Sequence, residues 1–583
     1  AAAFLPIYLA KSSTGEYTAP LFKVVTIALL CSWLLALTVT PLLCVTFLRV
    51  RGNPEAASFD TPFHRRYRAG LLGGLRRPWL ALGAVVGLLV VAFVGMGQLP
   101  FIFFPPSDKS TFTVALELPL GTSIERTEEV AREVNAFVDR ELRVTDERPE
   151  GVLNWGTWIG EGAPKFELAY NPEPPSPNYA FLLVNSTSRE TLLGLIPRLE
   201  AFCRDTFPDL EMTAHPLGIG PPIEIPIEVR LSGDDTEKLF GLVDRVRAYL
   251  RSIAGTKTVR DNWGLRTKKL VVRIDEPRAL RAGVTNEDVA VSLQAMLSGF
   301  ETTQFREADK VIPVTLRSVA ADRQDLGKLE TLNVYSQATG RSVPLKQVAE
   351  VEVAWEASRV YRRDRIRTVT VESDVQAGTT AAAAIAELRP WLEEESRGWD
   401  LGYHWELGGE SETSTKANES IMVNLPLVGL IIVVLLVWQF NSVVKPMIIL
   451  LTIPLSLIGV SFGLLVARQY MGFMPFLGII SLAGIVINNA IVLIDRIGIE
   501  IDENGLEPPQ AVVEAAQRRL RPILLTTATT VGGLLPLWLG GGAMWEAMAV
   551  AIIFGLLFAT ALTLGVVPIL YSLFYRVQYD QQQ

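Results

Sequence analysis

GIVINNAIVLIDR, residues 484–496, sets two consecutive amides, Asn488 and Asn489, in the middle of an apolar run. The run around them, 474–497, is long enough to cross a bilayer, which takes about 20 mostly apolar residues. A side-chain amide left without a partner in an apolar medium costs roughly 2–7 kcal/mol. These two amides therefore need partners inside a helix bundle, and a membrane bundle decides the fold class. Further runs of spanning length lie at 21–48, 78–99, 421–439, 446–467, 522–540 and 545–573.

The rest of the composition agrees with this division. At 583 residues, 49% hydrophobic and 20% charged, with mean hydropathy +0.28, the chain is too apolar for an ordinary soluble protein and too charged to lie wholly in a membrane. Most of the charge falls between 105 and 417, a large water-exposed segment. Lys and Arg near the spans set orientation. Arg49, Arg51, Arg65, Arg66, Arg68, Arg76 and Arg77 mark one cytoplasmic linker, and Arg496, Arg518, Arg519 and Arg521 mark a cytoplasmic loop. Alternating crossings then place 105–417 outside. The chain opens on AAAFLPIYLA, with neither Met nor a basic leader, and reads as starting in the tail of another membrane helix, hence as a C-terminal piece. Cys31 and Cys44 share one span and Cys203 stands alone outside, so no external disulfide is expected. A net charge of −8 without a basic, aromatic-laced stripe argues against nucleic acid.

The external segment alternates strand and helix patterns. TFTVALELP (111–119) has period two, and SIERTEEVAREVNAFVDREL (123–142) repeats apolar residues at helical spacing behind Ser123. The same β-α-β alternation returns from 178, from 225 and from 367. Ferredoxin-like β-α-β subdomains with helices on one face of a sheet follow, and 275–358 interrupts them as an inserted subdomain. The expected fold is a polytopic α-helical membrane bundle plus a large α+β external domain. The expected boundaries are 1–50 transmembrane, 51–77 cytoplasmic linker, 78–104 transmembrane, 105–223 first subdomain, 224–274 with 359–410 second subdomain, and 418–575 a five-helix membrane region.

Residues seven apart on a helix lie about 20° from one face, so Ser481, Asn488 and Asp495 line up, as do Arg519, Thr526 and Gly533 if Pro522 leaves that helix continuous. The two polar stripes are expected to face one another across the bundle. The plain alternative is helix packing, since interhelical hydrogen bonds in membranes are worth only about 0.6 kcal/mol. Asn cannot titrate, so a proton carrier has to be found elsewhere.

GIVINNAIVLIDR, with AVVEAAQRRLRPILLTTATTVGGLLPL (511–537), LPIYLAKSSTGEYTAPLFKVVTIALLCSWLLALTVTPLLC (5–44), FIFFPPSDKSTFTVALELPLGTS (101–123), GRSVPLKQVAEV (340–351) and HWELGGE (404–410), resembles the resistance-nodulation-division (RND) efflux transporters, in family order over essentially the whole chain. The resemblance implies the C-terminal half of a proton-driven pump in the bacterial inner (plasma) membrane, with 105–417 in the periplasm as porter subdomains and 275–358 as a docking subdomain. It further implies a homotrimer working with a periplasmic adaptor protein and an outer-membrane channel, together with the missing N-terminal half. Asn488 falls where many multidrug members carry a lysine; Asn489, Arg519 and Thr526 match relay positions, so these four are the expected proton-coupling residues.

The cargo is expected to be an amphiphilic small molecule, as in the multidrug branch. Metal-exporting relatives use methionine clusters, whereas Met212 and Met296 stand far apart here and no metal site or cofactor is expected. Aromatics gather at NWGTWIGEGAPKF (154–166), so Trp155, Trp158 and Phe166 are the expected substrate pocket, with core packing as the alternative. No HExxH, GxSxG or Gly-Lys-Ser loop marks an enzyme. The competing functions are an RND-related lipid or protein export machine, a sterol-sensing-type receptor, and an inactive truncated fragment.

Overall fold

The structure, a computed structural model, describes residues 2–47, 61–223, 225–264, 266–316, 332–357, 359–376 and 378–579. Arg49, Arg51 and the first part of the expected 51–77 linker lie outside the described residues, as does 317–331 of the expected insert. The chain forms two compact units, Ala1–Asn262 with Tyr361–Gln583, and Trp263–Val360.

The first unit begins with a short helix α1 (Leu5–Tyr8) and the long apolar α2 (Ser13–Phe47). Thr61, with Pro62 behind it, starts the amphipathic α3 (Pro62–Arg76), and α4 (Pro78–Met96) follows. Outside the bundle, β1 (Thr111–Glu117), α5 (Ile124–Phe137), β2 (Val152–Ile159), β3 (Tyr179–Ser186), α6 (Arg189–Thr206) and β4 (Glu211–Pro216) make a βαββαβ module. Its antiparallel sheet runs β2-β3-β1-β4. Strict alternation on β1 explains its burial: Phe112, Val114 and Leu116 pack on Val134 of α5 and Leu199 of α6 in one core.

A second module opens with β5 (Ile227–Ser232), α7 (Thr236–Ser252) and β6 (Thr256–Asp261). The chain then leaves for the second unit. There β7 (Arg266–Ile274) pairs antiparallel with β12 (Ala349–Ala357), enclosing α8 (Glu276–Ala282), α9 (Asn286–Leu297), the hairpin β8 (Phe300–Glu307) and β9 (Lys310–Leu316), the ribbon β10 (Asn333–Tyr335) and β11 (Ser342–Pro344), and α10 (Leu345–Val348). Thr285 and Asp288 close a capping box on α9, and Val289, Val334, Leu345 and Val348 share its core. The β7–β12 ladder is why this unit reaches back to Trp263, where the sequence pattern placed its start at 275.

Returning, β13 (Arg362–Arg363), β14 (Ile366–Val375), α11 (Ala381–Glu395) and β15 (His404–Leu407) complete the second module, with β14 between β5 and β6 and β15 on the far side of β5. Leaving aside the two-residue edge strand β13, which makes the second sheet five-stranded, both sheets have the order second-third-first-fourth. The second unit occupies the connection between second and third strands, where the first module has only the loop 160–178.

The chain re-enters the apolar region through α12 (Gly409–Met422), α13 (Leu425–Phe440), α14 (Val444–Leu450), α15 (Leu455–Val466), α16 (Phe473–Asp502), α17 (Pro508–Gly540) and α18 (Ala543–Phe574). Seven helices among the described residues are long and apolar enough to cross a membrane. The helix leading into this region starts at Gly409, not near 418, because its first turns, GESETSTKANES, are polar and hide it from hydropathy. Pro522 lies inside a continuous α17, so the seven-residue alignment of Arg519 with Thr526 holds. α15, α16 and α17 all pack on α18. Small residues permit the approach: Gly459 and Gly463 of α15 meet Phe554 of α18, and Gly555 of α18 meets Leu482 of α16.

Candidate functional site

In the bundle, α16 turns its apolar residues Ala490, Leu493, Ile494 and Ile497 into the core. Asn489 is 8% exposed and points the same way. Asn488, one residue and about 100° on, is exposed, and Asp495 shares its face. On α17 the inward residue is Thr527, whose hydroxyl meets Thr560 of α18 at 2.8 Å. Thr526 is exposed; its hydroxyl donates to its own helix at Ile523 O, 2.8 Å away, and its carbonyl accepts from Thr530 at 2.9 Å. Arg519 is partly buried, and its Nε has no hydrogen-bond partner among the described residues. Neither the Asn488 nor the Asn489 side-chain amide has a hydrogen-bond partner among the described residues.

The expected facing stripes are therefore not found. Asn488 and Thr526 lie on open faces of the bundle, and Asn489 is separated from Asn488 by the turn of the helix. The open face of α16, which carries the Asn488 amide and the Asp495 carboxylate, is a poor match for hydrocarbon, because polar and ionised groups at membrane depth seek partners or water. What this face can do chemically is hydrogen-bond an acid brought against it.

One network escaped the sequence reading. Glu500 is fully buried and receives Arg496 at 2.7 Å, Arg518 at 3.0 Å and Asn504 at 2.6 Å, tying the end of α16 to α17. Arg518 also pairs with Glu514 at 2.9 Å. The i,i+4 spacings 496–500, 500–504 and 514–518 were the available signal; the cross-helix partner had none.

Outside the bundle, the expected aromatic pocket divides. Trp155 and Trp158 are three residues apart on β2, and an odd spacing on a strand puts side chains on opposite faces. Trp155 packs with the helix-side core, and its indole N–H donates to Asn135 of α5 at 2.9 Å, an oxygen that also accepts from Thr157 at 2.8 Å. Trp158 lies on the other face beside Phe181, ring centroids 6.0 Å apart. Tyr170 stands 4.9 Å from Phe181, and Phe166 stacks on Tyr170 at 4.8 Å. The aromatic layer is thus Trp158, Phe181, Tyr170 and Phe166, without Trp155.

The two modules touch through charge. Arg260 on β6 pairs with Glu211 of β4 at 2.9 Å and with Glu372 of β14 at 3.1 Å. Lys257 reaches Glu200 at 3.3 Å, and His215 lies 3.7 Å from Asp374. Burial pushes the Glu372 carboxyl up to about 7 despite Arg260, because that guanidinium is shared with Glu211 while Glu228 and Glu211 add like charge. Arg260 itself is held firmly protonated by the two carboxylates, which outweigh its burial. No group of three or more His, Cys, Asp or Glu able to hold a metal occurs among the described residues.

The sequence profile of the AcrB/AcrD/AcrF family matches residues 1–575. The chain belongs to this family. Its members are transporters, not enzymes, and they reside in the inner membrane, in keeping with the seven apolar helices. Among curated relatives, it is 25% identical over 587 residues to the nickel and cobalt resistance protein CnrA of Cupriavidus metallidurans, matching 97% of this chain and 53% of that protein. The nickel-cobalt-cadmium resistance protein NccA of Alcaligenes xylosoxydans xylosoxydans is 25% identical over 597 residues, 99% of this chain and 54% of that one. The cation efflux system protein CzcA of Alcaligenes sp. (strain CT14) is 24% identical, over 99% of this chain and 55% of that one. The chain thus spans about half the length of the curated relatives it matches. A crystal structure of a heavy metal efflux pump superposes with TM-score 0.76 at 24% identity, covering 99% of this chain and 57% of that one, and supports the fold. These relatives do not support the expected placement in the multidrug branch, since all three proteins are named for metal resistance or cation efflux.

Proposed function

We propose that the chain forms the membrane bundle and external modules of an RND-type efflux transporter driven by proton movement. The observation that carries this reading is the open face of α16 with Asn488 and Asp495 on it, together with the exposed Thr526 on α17 and an Arg519 Nε without a hydrogen-bond partner among the described residues, within a family of efflux transporters. Asn489, turned inward, keeps its expected relay role only through its neighbour. A carboxylate from another element packed on this face would be the proton carrier, and Asn488 would hydrogen-bond it. A homotrimer, a periplasmic adaptor and an outer-membrane channel are partners by family likeness, and the unit Trp263–Val360 is the docking element.

The relatives' names make divalent metal cations the first cargo to test. A second reading, amphiphilic small molecules, is favoured by the layer of Trp158, Phe181, Tyr170 and Phe166 on the helix-free face of the first sheet, a flat apolar wall of the kind that binds varied apolar ligands. The natural full-length protein, expressed in an efflux-deficient host, is challenged with nickel, cobalt and cadmium salts and with hydrophobic dyes. Protection abolished by an uncoupler and by Asn488→Ala, at unchanged protein level, is the expected result, and the compound class protected names the cargo. Protection that survives Asn488→Ala removes that residue from the relay.

A further inference from the structure

Two stretches of chain connect the bundle's outer end to the external modules on this side of the molecule. One runs from α4 through 100–108 into β1. The other runs from β15 through Gly408 into α12. The first is nailed to the bundle: Ile102 N donates to Met471 O and Met471 N to Pro100 O, both at 2.9 Å, and Phe473 N donates to Phe103 O at 3.2 Å. Farther along, Asp108 accepts from Ala543 N at the start of α18, 2.6 Å away. Phe103, 1% exposed, sits with Phe473 of α16, Ile421 of α12 and Ile552 of α18 in one apolar collar.

The second connection is nailed to the external sheet. Gly408 N donates to Glu228 O at 2.9 Å, and Glu410 N donates to Pro226 O at 3.1 Å. Among the described residues, one side-chain hydrogen bond joins them. Glu410 accepts the backbone N–H of Phe103 at 2.9 Å, so this residue bonds the bundle-side connection through its carboxylate and the second module through its own backbone. A 280 Å³ cavity beside it, lined by Phe101, Ile385, Arg389 and Ser414 among others, leaves room for α11 of that module to shift against the junction. A buried N–H that loses its acceptor is costly, by about 1–3 kcal/mol, which makes the bond a pin and not an incidental contact.

We propose that Glu410 is a positioning residue that locks the two connections into one junction and so passes movement of the bundle's outer end to the second module. The proposal rests on the proton-driven efflux reading. The test uses the natural full-length protein in sealed vesicles, with Cys31→Ser and Cys44→Ser to silence the exposed thiols. Environment-sensitive labels go at Arg468→Cys, on the bundle's α15–α16 loop, and at Glu237→Cys, an exposed position at the start of α7. An imposed pH gradient is expected to move both signals in the parent. In Glu410→Ala the Arg468 label still responds and the Glu237 label falls silent; in Glu410→Gln, whose amide oxygen can accept the same N–H, both respond. Exchange of the Phe103 amide is expected to quicken about tenfold in Glu410→Ala and to recover in Glu410→Gln. A Glu237 signal undiminished in Glu410→Ala, or an unchanged Phe103 amide, overturns the junction. Silence of both labels in the parent sinks the proton-driven reading instead.

Discussion

Replacing Gly459 by Ala tests the packing seam on which the bundle rests. A Cβ at this position of α15 would stand 2.2 Å from the carbonyl oxygen of Phe554 and 2.7 Å from Cβ of Phe558, both on α18. One turn on, a Cβ at Gly463 would meet Phe554 Cβ at 2.4 Å. A backbone oxygen cannot rotate aside, so the helices must separate by about 1 Å to restore an ordinary contact. A gap of that size forfeits a quarter to a half of each dispersion well of about 0.1–0.2 kcal/mol. Over a seam of roughly 40 atom pairs the loss is about 2 kcal/mol, within the usual range for overpacking. Denaturant titration of the purified protein in detergent measures it, with Gly429→Ala on α13 as the control, since nothing lies within 4 Å of a Cβ there. Equal stability of the two variants would refute the close-approach argument.

Trp155→Ala should destabilise the first module by about 3 kcal/mol, chiefly through the cavity it leaves, since Asn135 keeps Thr157 as a partner, leaving the transported compounds unchanged. Trp158→Ala should leave thermal stability nearly intact and shift which compounds are exported if the aromatic face binds cargo; equal melting losses contradict this division. Glu372 carries its proton more readily folded than unfolded, so the stability it confers is full below the ordinary carboxylate value of 4.5 and is lost as pH rises through about 7. The loss is at most about 3 kcal/mol, and Glu372→Gln should flatten that slope in pH-dependent melting. Glu500→Gln removes the charge that two arginines share and should lower bundle stability by about 3 kcal/mol, read by the same denaturant titration.

The bundle was legible because apolar runs of spanning length survive any packing detail, and the alternation of Phe112, Val114 and Leu116 announced its strand for the same reason. Tertiary choices were not. Whether Asn488 or Asn489 turns inward depends on which face of α16 meets α18, and no local pattern states that. The pairing of Trp155 with Trp158 failed on a local rule, strand parity, that the glycines around them obscured. The reach of the inserted unit back to Trp263 depends on a ladder between strands some 75 residues apart, a separation at which no window of sequence carries information.

The repeated sheet order has a practical meaning. In the second module the link between β6 and β14 holds almost a hundred residues, Trp263–Val360, while the order of the module's four longer strands remains that of its sibling. A site that nature has already used to host a folded passenger is the place to graft another. A small fluorescent or affinity domain spliced into the matching loop 160–178 would test whether the sibling shares that tolerance, and would turn the outer half of the molecule into a reporter of its own motion.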